Sequence, residues 1–154
     1  MATRGIQVLR DKGIAHEVLE YRFDRKGARL AADALGLDPA EVLKSLIFHA
    51  DDGSFLFVLI AGDGNVSERK LGRATDHKHI EPAAPHDAER VTGYLTGGIS
   101  PFGSRRRLPV ILDEAAARRS SLVINAGARG TLVRLSTSDL VAATGARVVD
   151  VRIE

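Results

Sequence analysis

Two stretches of this chain carry residue types able to do chemistry. The first reads Gly93-Tyr94-Leu95-Thr96-Gly97-Gly98-Ile99-Ser100-Pro101-Phe102-Gly103 and runs straight into Ser104-Arg105-Arg106-Arg107. Four glycines, a proline and a serine in eleven residues exclude a packed helix or a central strand. Glycine lets the backbone take positive φ and approach a ligand closely, and successive free N–H groups there can cradle an anion or a carbonyl oxygen. Taken alone, the stretch is equally a long connecting loop without a ligand. Three consecutive arginines, whose forked guanidinium groups suit phosphate oxygens, favour a polar, anion-tolerant rim around a small pocket.

The second is Lys44, in Val42-Leu43-Lys44-Ser45-Leu46-Ile47-Phe48. In a strand, Leu46 and Phe48 share its face. A lysine on an apolar face is costly unless its ammonium finds partners or water. Either the stem packs while the head reaches solvent at the strand's end, or a partly desolvated cation points into a pocket, where it can donate to a carbonyl or a phosphate.

Other constellations are weaker. Asp76-His77-Lys78-His79-Ile80-Glu81 places two imidazoles on one strand face, which suits a metal site and a solvated polar strand alike. His79-Ile80-Glu81 matches the His-x-Glu of zinc deaminases, but the chain has no cysteine to complete that site. No metal and no cofactor are expected. Gly62-Asp63-Gly64 lacks the third glycine of a dinucleotide fingerprint, and no Walker sequence occurs, so neither NAD nor ATP dependence is supported. Ser100 lies in no Gly-x-Ser-x-Gly elbow and has no histidine placed as its base. It reads as a loop hydrogen-bonder or a ligand contact.

Positioning these groups falls to one globular domain over 1–154, since 154 residues at 44% hydrophobic content can bury a core without disulfide or metal staples. The absence of cysteine excludes disulfides and a catalytic protein thiol. There is no apolar signal region at the start and no run of membrane-spanning length, so a cytoplasmic protein without a membrane partner is expected. Twenty-two Lys and Arg against twenty Asp and Glu leave a formal charge of +2, too weak a net field to announce a nucleic-acid binder, which only local clustering could do; no DNA partner is expected.

The periodicity changes often, as in short alternating helices and strands. Ile6, Leu9 and the stop at Gly13 read as a helix, and 16–21 as a strand. A helical piece over 31–35 closes at Gly36, and Asp38-Pro39-Ala40-Glu41 is a helix start with Asp38 as N-cap. The apolar runs 43–50 and 55–60, joined by Asp51-Asp52-Gly53-Ser54, read as a hairpin. The second run does not alternate, so it is covered on both faces and central. Ser67 caps a helix to Ala74, and 85–91 forms another. Strands follow at 108–112, 122–124, 132–135 and 148–153. Ser136-Thr137-Ser138-Asp139 is a capping box whose helix closes at Gly145.

The strand-start lysine of Val-Leu-Lys-Ser-Leu, the downstream Gly-Tyr-Leu-Thr-Gly-Gly-Ile-Ser-Pro-Phe-Gly and the Arg-Leu-Pro that follows resemble the YbaK/EbsC family. These are freestanding relatives of the editing domain inserted in bacterial prolyl-tRNA synthetases. The resemblance runs from the first helix to the strand near Val151. It implies an α+β fold, a mixed and mostly antiparallel sheet surrounded by short helices. It also implies an aminoacyl-tRNA deacylase that works in trans, hydrolysing the ester of cysteine or alanine wrongly joined to tRNA(Pro). A synthetase pocket discriminates poorly between small side chains, so a second site must remove the errors. Aminoacyl-tRNA and a prolyl-tRNA synthetase are the implied partners.

Carried over residue by residue, the family's essential lysine falls on Lys44 and its pocket glycines on Gly97 and Gly98. Tyr21, Ser45, Ile99, Ser100, Pro101 and Asn125 are the expected substrate contacts. Lys70, Arg73, Arg105, Arg106 and Arg107 are the expected tRNA contacts, with Lys78 nearby in kind. An aminoacyl ester is already activated, so a site need only position it and stabilise the oxyanion. Lys44 would hold the terminal ribose or ester region, and backbone N–H groups around Gly97 and Gly98 the carbonyl oxygen. The attacking group would be water or a cysteinyl substrate's own thiol. Three departures bear on which amino acid is cleared. Asn125 stands where cysteine-specific members have Ser, Leu132 stands where they have an acidic residue, and a phenylalanine is missing from the shortened segment Lys26-Gly27-Ala28-Arg29-Leu30. They also sustain a reading of another class, an inert module that binds aminoacyl-tRNA, a nucleotide or a synthetase.

Overall fold

The computed structural model describes residues 2–23 and 28–154. Most of the basic stretch 24–30, and with it the place of the missing phenylalanine, lies outside the described residues.

The fold is organised around the hairpin of β2 (Leu43–Ala50) and β3 (Phe55–Ala61), which pair antiparallel with Lys44 opposite Ile60 and His49 opposite Phe55. Its turn closes because the Asp52 carboxylate accepts from both the N–H and the hydroxyl of Ser54, while Gly53 takes a φ of 85°. Every residue of β3 is buried, as an unbroken apolar run requires of a strand covered on both faces. β3 is the middle of a five-stranded sheet ordered β4-β2-β3-β5-β8. In it β4 (Ile80–Pro82) is antiparallel to β2, β5 (Val110–Asp113) is parallel to β3, and β8 (Arg147–Val149) is parallel to β5.

A second sheet, ordered β1-β7-β6, is antiparallel throughout and consists of β1 (Glu17–Glu20), β7 (Thr131–Ser136) and β6 (Ser121–Ala128), with a bulge between Asn125 and Ala128. The expected mixed, mostly antiparallel architecture is present, divided into two sheets that meet at a parallel bridge between Val42 and Val123.

Local signals fix the helices. In α1 (Arg4–Asp11) the Thr3 hydroxyl accepts from Ile6 N, and in α3 (Glu68–Thr75) Ser67 accepts from Lys70 N. Between them lies α2 (Ala28–Leu35), followed by Gly36 at a φ of 68°. α4 (Pro85–Thr92) opens on a proline, and α5 (Glu114–Ala117) is a single turn whose N-cap, Asp113, gives its Oδ1 to Val151 N rather than to the helix. α6 (Thr137–Thr144) has Ser136 accepting from Asp139 N and ends at Gly145. The Asp38-Pro39 start yields only a 3₁₀ turn, Pro39–Glu41, because Val42 is already extended and committed to the bridge.

Two other expectations change. The last strand stops at Val149, and the chain then leaves the ladder to bridge Val66 through Arg152. His77 and His79 precede β4 rather than share a strand face. There the Asp51 carboxylate takes His77 Nδ1 at 2.9 Å and the N–H groups of Lys78 and His79, which ties this loop to the hairpin turn.

The main core lies on one face of the large sheet, where Phe57 and Leu59 meet Ile6 and Leu9 of α1, Val91 of α4, and Ile124 and Val133 of the second sheet. The other face packs Val58 and Leu56 against Leu71 and Val151. α1 reaches the second sheet so closely that a Cβ on Gly5 would lie 2.3 Å from the carbonyl oxygen of Ala126, which also accepts from the Thr3 hydroxyl at 2.5 Å. Gly5→Ala should therefore lower stability by about 1–3 kcal/mol through overpacking, although alanine is the better helix former. Denaturant unfolding checks this, with a lower midpoint expected at unchanged slope.

Candidate active site

Beyond the Val42–Val123 bridge β2 and β6 part, and a cleft of about 640 Å³ occupies the fork. Because β4 pairs only with Phe48, His49 and Ala50, the outer edge of β2 is left unpaired by β4 along the cleft. Ser45 lines this wall, and its Oγ is buried with no hydrogen-bond partner among the described residues. On the opposite wall stand Thr96, Gly97 and Ile99 from the glycine-rich loop and Asn125 from β6, with Tyr21 and Leu132 also in the lining.

Lys44 is half-buried. Its ammonium donates to the carbonyl oxygen of Gly64 and, at 3.3 Å, to Asn65 Oδ1. Burial lowers its pKa below the ordinary lysine value. The nearby Asp63 opposes that shift, and Arg152 adds to it.

The glycine-rich loop is held from several sides. Tyr94 is buried and its hydroxyl donates to the Phe102 carbonyl at 2.5 Å, closing the loop on itself, and burial pushes the phenol's pKa up. Gly103 and Gly127 both have positive φ and press on this ring, so that Cβ atoms there would lie 2.8 Å from Tyr94 Oη and 2.7 Å from Tyr94 Cε1. Glu89 Oε2 accepts from Thr96 N at 2.7 Å and from Thr96 Oγ1 at 3.0 Å, while Arg129 Nε donates to Thr96 O at 2.9 Å. Asn125 Nδ2 donates to Gly97 O at 3.0 Å, and its Oδ1 accepts from Gly127 N at 2.8 Å. Gly98 N donates to Leu95 O at 2.8 Å. Gly97, at a φ of 94°, is left with an N–H that has no partner among the described residues.

A family model for the aminoacyl-tRNA editing domain matches residues 24–143. The chain belongs to this family. Over 136 residues the editing domain is 28% identical to the Enterococcus faecalis protein named "Putative Cys-tRNA(Pro)/Cys-tRNA(Cys) deacylase EbsC", spanning 86% of this chain and 83% of that one. It is 33% identical over 99 residues to a proline–tRNA ligase of Geobacillus kaustophilus, a match that takes in 64% of this chain and 17% of the ligase. A solved structure described as "a putative trans-editing enzyme for prolyl tRNA synthetase" superposes with a TM-score of 0.88 at 28% identity, over 98% of this chain and 96% of that one.

In this editing domain Tyr21, Lys44, Ser45, Gly97, Ile99 and Asn125 all line the cleft. The rest of the expected set does not line it. Gly98 was expected to donate to the oxyanion, but its N–H is already bound in the turn to Leu95. Ser100 is fully buried and its Oγ accepts from Phe102 N at 3.1 Å, the loop hydrogen-bonder of the two readings, with Pro101 beside it. Asn125 uses both ends of its amide on backbone groups, so it shapes the loop rather than presenting a free group. Arg105, Arg106, Arg107 and Arg73 are exposed, Arg106 with its guanidinium 6.0 Å from the centre of the Phe55 ring. Lys70 is not a free surface cation. It binds Asp150 at 3.0 Å and the Arg152 carbonyl at 2.8 Å.

Missing from the sequence reading are Glu89 and Thr96, and the loop 62–65 that receives the lysine. Its one visible signal is Gly62-Asp63-Gly64 directly after a fully buried strand. Among the described residues no helix is long and apolar enough to cross a membrane. Asp51, Asp52 and His77 are grouped closely enough to hold a metal, yet they lie outside the cleft lining and are engaged in the hairpin turn.

Two outcomes follow from this geometry. Asn125→Ala removes two hydrogen bonds and should lower stability by about 1–3 kcal/mol, with faster amide exchange over 95–99 than elsewhere. Since burial disfavours the charged amine, Lys44 should lose its proton at lower pH than the exposed lysines, which a ¹³Cε NMR titration with Lys44→Ala as the assignment control would show.

Proposed function

We propose that this protein clears misacylated tRNA in the cytoplasm, hydrolysing the ester between the terminal ribose and a wrongly attached cysteine or alanine, with tRNA(Pro) as the carrier. The observation that carries this reading is the Gly97 N–H, without a partner among the described residues, on one wall of a cleft whose other wall carries Lys44. The names of the similar Enterococcus protein and of the superposed structure point the same way.

The chemistry needs little machinery. The oxygen of a water molecule bonds to the ester carbonyl carbon and its proton passes to solvent. The carbonyl oxygen becomes an oxyanion, and the Gly97 N–H, already fixed by Glu89, Arg129 and Asn125 acting on the neighbouring backbone, donates to it without reorganising. Collapse breaks the bond to the ribose oxygen, which takes up a proton and leaves as the free terminal hydroxyl. Lys44 sits where its positive charge favours that oxygen or an adjacent phosphate. With a cysteinyl ester, the substrate's thiol can take the place of water.

Ser45, whose buried Oγ has no hydrogen-bond partner among the described residues, stands in the lining beside the substrate. Leu132, where an acid is expected in cysteine-specific relatives, makes that part of the lining apolar and suits a small uncharged side chain. The exposed arginines 105–107 give a phosphate backbone a place to rest, and a prolyl-tRNA synthetase is the natural donor of the mischarged tRNA.

Single-turnover hydrolysis of Cys-, Ala- and Pro-tRNA(Pro) tests the proposal. One mischarged ester should be lost rapidly, with the rate falling by about 100-fold or more in Lys44→Ala, a loss comparable to removing one oxyanion donor. No acceleration of any ester overturns it. Retained tRNA binding in that case would identify an inert binding module.

A further inference from the structure

Lys44 is held by a loop that is itself held from elsewhere. Residues 62–65 turn back beneath the lysine. On the inner side their amides bond to the sheet and the adjoining 3₁₀ turn, Gly62 N to Val42 O at 2.7 Å and to Pro39 O at 3.0 Å, and Gly64 N to Ala61 O at 2.9 Å. On the outer side the segment 150–153 runs antiparallel to the chain entering α3. Ile153 N donates to Asn65 O at 2.9 Å, Ser67 N donates to Val151 O at 2.7 Å, and Arg152 bridges Val66.

From this segment Arg152 reaches over the loop. Its Nη1 lies 3.3 Å from Asp63 Oδ1 and its Nη2 3.4 Å from Asp63 O. The guanidinium rests so close to Gly64 that a Cβ there would sit 3.0 Å from Cζ and Nη1. The segment is anchored in turn by the fully buried Asp113, whose Oδ1 accepts from Val151 N at 3.0 Å, and by Lys70 on the Arg152 carbonyl.

We propose that Arg152 is a positioning residue for Lys44. By pairing with Asp63 and lying on Gly64, it keeps the loop's neutral carbonyl and amide oxygens, rather than the Asp63 carboxylate, as the acceptors of the lysine ammonium at the cleft. The inference rests on the reading of Lys44 as part of the reaction site. Asp63 and Arg152 are the charged groups that bear on the ammonium. Without the guanidinium, the carboxylate loses its cation, and Lys44, on whose ammonium Asp63 already acts, becomes available to it. An ammonium drawn into that ion pair would turn away from the substrate and hold its proton more tightly.

The test combines Arg152→Ala, Arg152→Lys, Asp63→Asn and the double variant Arg152→Ala/Asp63→Asn. Readouts are single-turnover deacylation, the tRNA concentration giving half-maximal rate, and the ¹³Cε titration of Lys44. Arg152→Ala should slow the chemical step by about tenfold with little change in half-saturation and should raise the Lys44 titration midpoint. Arg152→Lys should recover part of the rate. Removing the carboxylate as well should restore most of the rate and bring the midpoint back down, a coupling that mere loosening of the segment would not produce.

A rate loss that only tracks the folded fraction, with the Lys44 titration unmoved and no rescue by Asp63→Asn, overturns the inference. If the unaltered protein hydrolyses no ester, the functional reading fails instead, and the titration midpoints of the same variants still decide whether Arg152 governs Lys44.

Discussion

Among the described residues one backbone bridge joins the two sheets, and the cleft exists because they separate immediately beyond it. Val42 and Val123 are both fully buried, packed among Ala31, Ala32 and Leu132. At that point the strands approach to ladder distance. Two residues further on, Lys44 and Asn125 are no longer paired to each other, and the cleft lies between them. A continuous sheet would have matched the backbone groups of these strands to one another and left no edge for a ligand. The small side chains Ala31 and Ala32 let α2 cover the junction without filling the fork.

Within that opening the glycine-rich loop is rigid for reasons that have little to do with glycine's freedom. Tyr94 acts as an internal strut, its ring wedged between Gly103 and Gly127 and its hydroxyl fastened to Phe102. Around it, Glu89, Arg129 and Asn125 occupy the polar groups of Thr96 and the Gly97 carbonyl, so that of these two residues the Gly97 amide alone has no partner among the described residues. A donor fixed in this way incurs no reorganisation when charge develops in front of it, which is what distinguishes a stabilising site from a flexible loop that happens to contain N–H groups.

What could be read directly from the sequence was whatever is encoded locally. Ser67 and Ser136 announce their helices because a cap hydroxyl acts on an amide three residues away, and the β2–β3 turn is legible because Asp52 and Ser54 are neighbours. The alternation of β2 put Lys44 on the face it shares with Leu46 and Phe48 before any coordinates. The failures share the opposite property. His77 and His79 leave the strand because a carboxylate 26 positions away gathers the loop. Lys70 turns from surface cation to anchor through a partner 80 positions away. Asn125 looks like a free site group until its bond to Gly97, 28 positions away, is seen. Gly62-Asp63-Gly64 was legible only as a broken nucleotide motif, since nothing near it in the chain reveals Lys44 above and Arg152 below.

The contact between Asp63 and Arg152 spans 89 positions. Closing so long a loop adds only slowly growing entropy to the equilibrium, but it delays the rate at which such contacts form, because the chain must bring distant segments together before any bond rewards it. The walls of the cleft draw on nearer pairings, β2 with β3 and β6 with β7. The Val42–Val123 bridge that opens the fork is itself a contact between distant segments, so the outline of the pocket and the orientation of its cation both wait on long-range contacts.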